Sequence, residues 1–148
     1  MGVSEKALIC GKEIEKYIPQ RAPMIMISGF HGIEEEMFHT SLEILEENVF
    51  CENGVFCEAG IIEHIAQSCA FRNGYLAINC GQKVQLGYIG AVTAMRIYSL
   101  PKCGSTITTR ISIEQEFMGI SLVKAVVECG GSPIAEGKVK VALIEKEN

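Results

Sequence analysis

The residues able to do chemistry concentrate in one apolar stretch. Across positions 61–70 the polar residues are Glu63, His64, Gln67 and Ser68, set among isoleucines, alanines and a cysteine. A carboxylate in such company is costly to ionise unless a partner or a proton compensates it. On a helix, Glu63, Gln67, Ala70 and Gly74 share one stripe, so a carboxylate and an amide stand beside two small residues that leave room. That is the wall of a narrow pocket. Burial would raise the carboxyl pKa toward neutrality, which suits a general acid or base, and Gln67 could hold a water or a substrate carbonyl. A structural reading stands beside this one: Glu63 pairs with Arg21 or Arg72, or lies at a subunit interface, while Gln67 satisfies backbone groups.

His64 follows Glu63 directly and points about 100° away around a helix, so the two do not share one small site within a subunit. It reads as a core or interface histidine. His31 and His39 flank a turn containing Glu34, Glu35 and Glu36, which reads as a solvated loop, and no metal site is expected. Seven cysteines (Cys10, Cys51, Cys57, Cys69, Cys80, Cys103 and Cys129) show no Cys-x-x-Cys spacing. They are expected to be reduced, buried or semi-buried thiols, with neither structural disulfides nor zinc.

The elements that must position these groups follow from periodicity. Two prolines, Pro19 and Pro23, fix an extended or turning segment ahead of residue 24. Residues 24–33 and 37–45 read as an antiparallel hairpin, and 46–54 as a loop. Apolar residues at three- and four-residue steps then predict one long helix over 57–78, apolar nearly all round and therefore wrapped by other elements. Stretches 84–100, 105–118, 119–129 and 134–144, rich in Val, Ile and Thr, predict a meander of long strands, with Gly130-Gly131-Ser132-Pro133 turning between the last two. Helix and sheet are segregated, so the class is α+β with an antiparallel sheet around the single helix, in one domain over 1–148. The chain of 148 residues is 48% hydrophobic and only 21% charged. So thinly charged a surface predicts an oligomer. A net charge of −5 without a Lys/Arg cluster argues against nucleic-acid binding. No apolar run approaches a membrane span and the opening MGVSEKALIC has no signal-like apolar region, so a cytoplasmic protein is expected.

Three motifs in register carry a family resemblance: Tyr-Ile-Pro-Gln-Arg-Ala-Pro-Met (17–24), Ile-Ile-Glu-His-Ile-Ala-Gln-Ser (61–68) and Leu-Gly-Tyr-Ile-Gly-Ala-Val-Thr-Ala-Met-Arg-Ile (86–97), the last running into Leu-Pro-Lys-Cys-Gly (100–104). The chain resembles the hotdog-fold β-hydroxyacyl-acyl carrier protein dehydratases, particularly dehydratase-like proteins of fatty-acid and polyene-type pathways. The resemblance implies a curled antiparallel sheet wrapped around one long central helix. It also implies a homodimer or higher oligomer made by joining sheets, with acyl tunnels at the interface. Those tunnels receive a thioester on the phosphopantetheine of acyl carrier protein or CoA, with no other cofactor. The implied reaction eliminates water from a 3-hydroxyacyl thioester. A histidine takes the α-proton, and a helix carboxylate from the other subunit helps the hydroxyl leave. On this pattern Glu63 and Gln67 are the catalytic positions, and Phe50, Gly87, Tyr88, Ile89, Gly90 and Arg96 the substrate-binding ones.

The sequence departs from the pattern where it matters most. Val49-Phe50-Cys51-Glu52 stands where the family has His-Phe-Pro-Gly, Gln20 replaces the entry motif's histidine, and Ser28 replaces a common aspartate. Valine accepts no proton, and loss of a positioned base removes a factor of about 10² to 10⁴. Four alternatives follow: His64 or Tyr88 substitutes; the subunit works in a heteromer; Glu63 alone activates water as a hotdog thioesterase; or the chain is a non-catalytic acyl-binding subunit. An acidic carrier protein would meet positive charge at the tunnel mouth, for which Arg21, Arg72, Lys83, Arg96 and Lys102 are the candidates.

Overall fold

The structure is a computed structural model describing residues 6–84 and 86–144, apart from the side chains of Leu86, Tyr88, Leu143 and Ile144. The predicted hairpin forms from β2 (Gly29–Glu34) and β3 (Met37–Glu43). Alternation buries Phe38, Thr40 and Leu42 on one face of β3. The first strand is shorter than expected, because the backbone at residues 24–26 bonds to helix side chains instead of to a neighbouring strand. Ahead of it, β1 (Ile9–Cys10) pairs with β2, and a 3-10 helix (Gly11–Lys16) follows. Within the expected loop a small hairpin of β4 (Cys51–Glu52) and β5 (Val55–Phe56) appears. Two-residue strands leave no periodic trace, which is why these pieces escape a reading of the sequence.

The helix, α1 (Glu58–Asn79, 22 residues), lies where the periodicity predicts it. It ends at Cys80, followed by Gly81 in the left-handed region. The strands β6 (Leu86–Ile97), β7 (Thr106–Phe117), β8 (Ile120–Cys129) and β9 (Ser132–Ile144) follow. The β8–β9 connection is the two-glycine turn Gly130–Gly131, both at positive φ, as a tight hairpin with right-handed strand twist requires. The seven-stranded sheet runs β1-β2-β3-β7-β8-β9-β6, antiparallel throughout, so β6, though first after the helix, lies at the edge beside the last strand. The helix touches β3 on one side and β6 and β9 on the other. β3 and β6 stand four strand positions apart, about 19 Å at ordinary spacing. A helix roughly 10 Å across reaches both only because the sheet bends over it.

The core is the space between. Ile61, Ile65 and Phe71 of α1 pack against Phe30, Phe38, Ile107 and Ile111, all fully buried. Tyr17, Phe30, Phe71 and Tyr75 form an aromatic cluster with several ring centroids 4.9–5.8 Å apart.

The cysteines correct the sequence reading. Cys51 and Cys103 form a disulfide across 52 residues of sequence, and Cys10 and Cys80 are exposed, not buried. The turn at 101–104 lies alongside the small hairpin, through Phe56 N–H to Pro101 C=O (2.8 Å) and Cys103 N–H to Gly54 C=O (3.0 Å). That proximity has no local signature. Among the described residues no cluster of three His, Cys, Asp or Glu could hold a metal, and no helix is long and apolar enough to cross a membrane.

Candidate active site

The site is built on the segment 17–26, which the helix holds at both ends. At the upstream end a Cβ on Gly74 would overlap the Tyr17 carbonyl, so the absence of a side chain lets the backbone lie directly on α1. Arg21 braces the turn: its Nη1 donates to the carbonyls of Ile18 (2.8 Å) and Gln20 (2.7 Å), and its Nε pairs with Glu15 (3.1 Å). At the downstream end the Met26 N–H donates to Gln67 Oε1 (2.6 Å), and Gln67 Nε2 donates to the Met24 carbonyl (2.7 Å). His64, on the adjoining face, adds a third tie. Its Nδ1 lies 2.7 Å from the Met26 carbonyl and its Nε2 2.7 Å from Thr109 Oγ1. A carbonyl only accepts, so Nδ1 carries the proton and Nε2 accepts from the threonine hydroxyl. Burial pushes the His64 pKa down to about 4. Ser68 completes the network, donating to the His64 carbonyl (2.7 Å) and meeting Thr40 Oγ1 (2.8 Å).

Two expectations change accordingly. Gly74 is occupied by backbone and is not pocket wall. Gln67, only 1% exposed, gives its amide to Met24 and Met26 and a further hydrogen bond to Glu63, so it positions the segment and the carboxyl. His64 is a core histidine, held neutral and sealed from solvent.

Beside this clamp lies a cavity of about 230 Å³. Glu63, Ala66, Gln67 and Ala70 line it from one helix face, Gln20 from the clamped segment, and Gly87, Ile89 and Val141 from the sheet. The sheet residues converge because 87 and 89 alternate onto one face of β6 and Ile89 pairs in register with Val141 of β9. Glu63 is half-buried, and desolvation raises its pKa, partly offset by a hydrogen bond from Gln67. Neither candidate arginine neutralises it: Arg21 pairs with Glu15 and Arg72 with Glu116 (3.4 Å). A carboxyl with a raised pKa and no ion-pair partner among the described residues, facing a largely uncharged cavity, is equipped to deliver a proton to a bound oxygen.

Of the expected substrate-binding positions, Gly87 and Ile89 line this cavity with Glu63. The Tyr88 backbone pairs with Ala142, and its side chain lies outside the described residues. Gly90 sits at a register break in β6, exposed, outside the lining. Phe50 packs edge-on against Phe56 (6.3 Å), and the Phe56 ring with the Phe50 Cβ closes over Gly60 at the helix start. Arg96 lies nine residues beyond Gly87, opposite Glu136, on the order of 30 Å away along an extended strand. Gln20, Ala66 and Val141 are the lining residues the sequence left unassigned. Gln20 had a signal, as the replacement of the entry motif's histidine, whereas Val141 depends on a strand pairing no local pattern reveals. Val49, at the family's histidine position, is exposed and lines a different, larger apolar cavity of about 590 Å³ with Ile25, Ile27, Leu42 and Leu45. Positions 49 and 63 of one chain thus face separate cavities.

A seven-stranded antiparallel sheet bent over one helix, with a carboxylate from that helix on a small cavity, defines a hotdog-fold protein. The ApeP-like family model, described as ApeP dehydratase, matches residues 12–147, and the chain belongs to that family. Among solved structures, the dehydratase heterocomplex ApeI:P from Xenorhabdus doucetiae superposes with a TM-score of 0.83 at 16% identity, covering 90% of this chain and 91% of that one. The sigma28-regulated virulence protein Cj0977 from Campylobacter jejuni gives 0.63 at 15% identity, over 90% and 98% of the two chains. The protein smu.793 from Streptococcus mutans, bound to acetyl CoA, gives 0.59 at 12% identity over 80% and 90%. At these identities the likeness is one of fold. No curated protein matches the chain in sequence.

Proposed function

We propose that this chain supplies the acid half of a dehydratase site acting on 3-hydroxyacyl thioesters carried by acyl carrier protein, in fatty-acid or polyene-type biosynthesis. The observation that carries this reading is Glu63, half-buried, without an ion-pair partner among the described residues, and facing a cavity of about 230 Å³ walled by Ala66, Ala70, Gly87, Ile89 and Val141 with two glutamines, Gln20 and Gln67. The protonated carboxyl donates its proton to the β-oxygen as the C–O bond breaks, and water leaves. The α-proton goes to an imidazole of a partner subunit. Among the described residues no histidine lines this cavity, and the family's histidine position, Val49, faces a different one. A heteromer with a histidine-bearing hotdog subunit makes the site complete, and the heterocomplex nature of the ApeI:P relative supports that arrangement. In this reading Lys83, exposed and four residues before Gly87 in sequence, is the cation that meets an acidic carrier.

The thioesterase reading draws on the same isolated carboxylate. It requires oxyanion donors, and the first turn of α1 contributes no residue to the cavity lining. Complementation tests the proposal. A histidine-bearing dehydratase subunit whose own helix carboxylate has been replaced is mixed with this chain and a 3-hydroxyacyl carrier protein. Enoyl product should appear with the unaltered chain and fall about 10²- to 10⁴-fold with Glu63→Gln. Equal rates from both, or free thiol in place of enoyl thioester, would overturn it.

A further inference from the structure

The Glu63 cavity has a mouth and a floor. Glu63 and Ala66 are partly exposed, whereas Gln67, Ala70 (7% exposed) and Val141 (2%) are buried. One turn beyond Ala70 on the same helix stripe the way is shut, because the Tyr17 carbonyl occupies the place that a side chain on Gly74 would take. Nor does the cavity continue sideways into the larger one beside Val49. The two share no lining residue, and the segment 20–27 presents Gln20 to one and Ala22, Pro23, Ile25 and Ile27 to the other. The backbone of that segment is bonded to Gln67 and His64 at Met24 and Met26, which keeps the partition in place.

A closed floor makes volume a limit on length. At about 30 Å³ per non-hydrogen atom, the share of a water molecule in the liquid, about 230 Å³ takes roughly seven or eight atoms. A 3-hydroxyacyl group of four to six carbons brings about six to eight, and one of eight carbons or more brings at least about ten, too many for that volume. The floor is apolar at Ala70 and Val141 and suits the methyl end of such a group, while Glu63 at the mouth meets the β-oxygen. Of the two, Ala70 has the smaller side chain, on the helix face directly between Glu63 and the blocked position 74. We infer that Ala70 is a specificity-determining residue of this cavity: it sets a floor that admits 3-hydroxyacyl groups of four to six carbons and turns longer ones away. This inference rests on the dehydratase reading given above and names the substrates that reading leaves open. In a walled apolar pocket each methylene that fails to fit costs about 10- to 200-fold in discrimination.

The experiment measures binding of 3-hydroxyacyl pantetheine amides of four, six, eight and ten carbons, in which nitrogen replaces the thioester sulfur so that none turns over readily. The unaltered full chain should bind the eight- and ten-carbon amides at least about tenfold more weakly than the six-carbon one. Ala70→Leu, which raises the floor, should lower the six-to-four-carbon affinity ratio at least about tenfold, and Val141→Ala, which deepens it, should raise the eight-to-six-carbon ratio about tenfold. These ratios do not depend on how much of a variant is folded, and loss of stability does not move them in opposite directions. Affinities that keep rising to ten carbons in the unaltered chain, or a variant whose length profile parallels the unaltered one, overturn the assignment. If Glu63-dependent complementation stands meanwhile, only the role of the floor falls. If no amide of any length binds, the acyl reading of the cavity falls with it.

Discussion

Gln67→Leu separates a residue that builds the site from one that acts in it. The substitution keeps the side-chain volume but leaves two main-chain groups without partners, the Met26 N–H and the Met24 carbonyl. Met26 is fully buried, so its stranded N–H costs about 1–3 kcal/mol. Met24 is exposed enough for water to reach its carbonyl, so little is added there, and the more apolar leucine returns part of the loss. The net destabilisation is about 2 kcal/mol, or a fall in Tm of roughly 4–8 °C for a chain of this size. Urea unfolding should show a lower midpoint with an unchanged slope, because the surface exposed on unfolding is the same. Hydrogen exchange at the Met26 amide should accelerate well beyond that of the core strands. A midpoint shift worth less than about 0.5 kcal/mol, with Met26 still protected, would refute the claim that Gln67 holds the segment.

Two further predictions concern stability. His64 is held neutral to about pH 4 in the folded chain against an ordinary value of 6.5. Between those values the unfolded chain binds a proton that the folded chain does not, so stability falls as pH falls, by about 1.4 kcal/mol per unit and about 3 kcal/mol in all. Unfolding midpoints at pH 7 and pH 4.5 should show this slope, and His64→Asn should flatten it; an equal slope in both would contradict the assignment. The Cys51–Cys103 bond closes a loop containing α1 and β6, worth roughly 4 kcal/mol in the chain-entropy model. Thiol titration of the unfolded, unreduced protein should count the five remaining cysteines, and reduction should lower the Tm. Seven reactive thiols without reductant would remove the crosslink from the account.

What was legible in the sequence is what periodicity encodes. The apolar three- and four-residue steps of 61–71 and the β-rich composition of 37–45 and 105–118 mark a helix and two strands, and those elements form close to their expected bounds. Glu63 was legible because a carboxylate among isoleucines demands a reason. Its cavity partners were less so. Val141 reaches the site because β6 pairs with β9 at the sheet edge, a long-range choice that local residues do not announce. Gln67 and Gly74 share the predicted stripe, yet the chain arriving from 17–26 takes up both. A stripe says which residues face one way; it does not say what lies against them. The disulfide was missed for the same reason, its two cysteines being brought together by turn-to-hairpin contacts.

A structure of the chain, with the histidine-bearing subunit proposed to complete it, bound to 3-hydroxybutyryl-pantetheine amide would test the central claim most directly. The account predicts the β-oxygen within hydrogen-bond distance of the Glu63 carboxyl, in the cavity between α1 and β6. An acyl group seated in the larger cavity beside Val49, with Glu63 facing water, would contradict it.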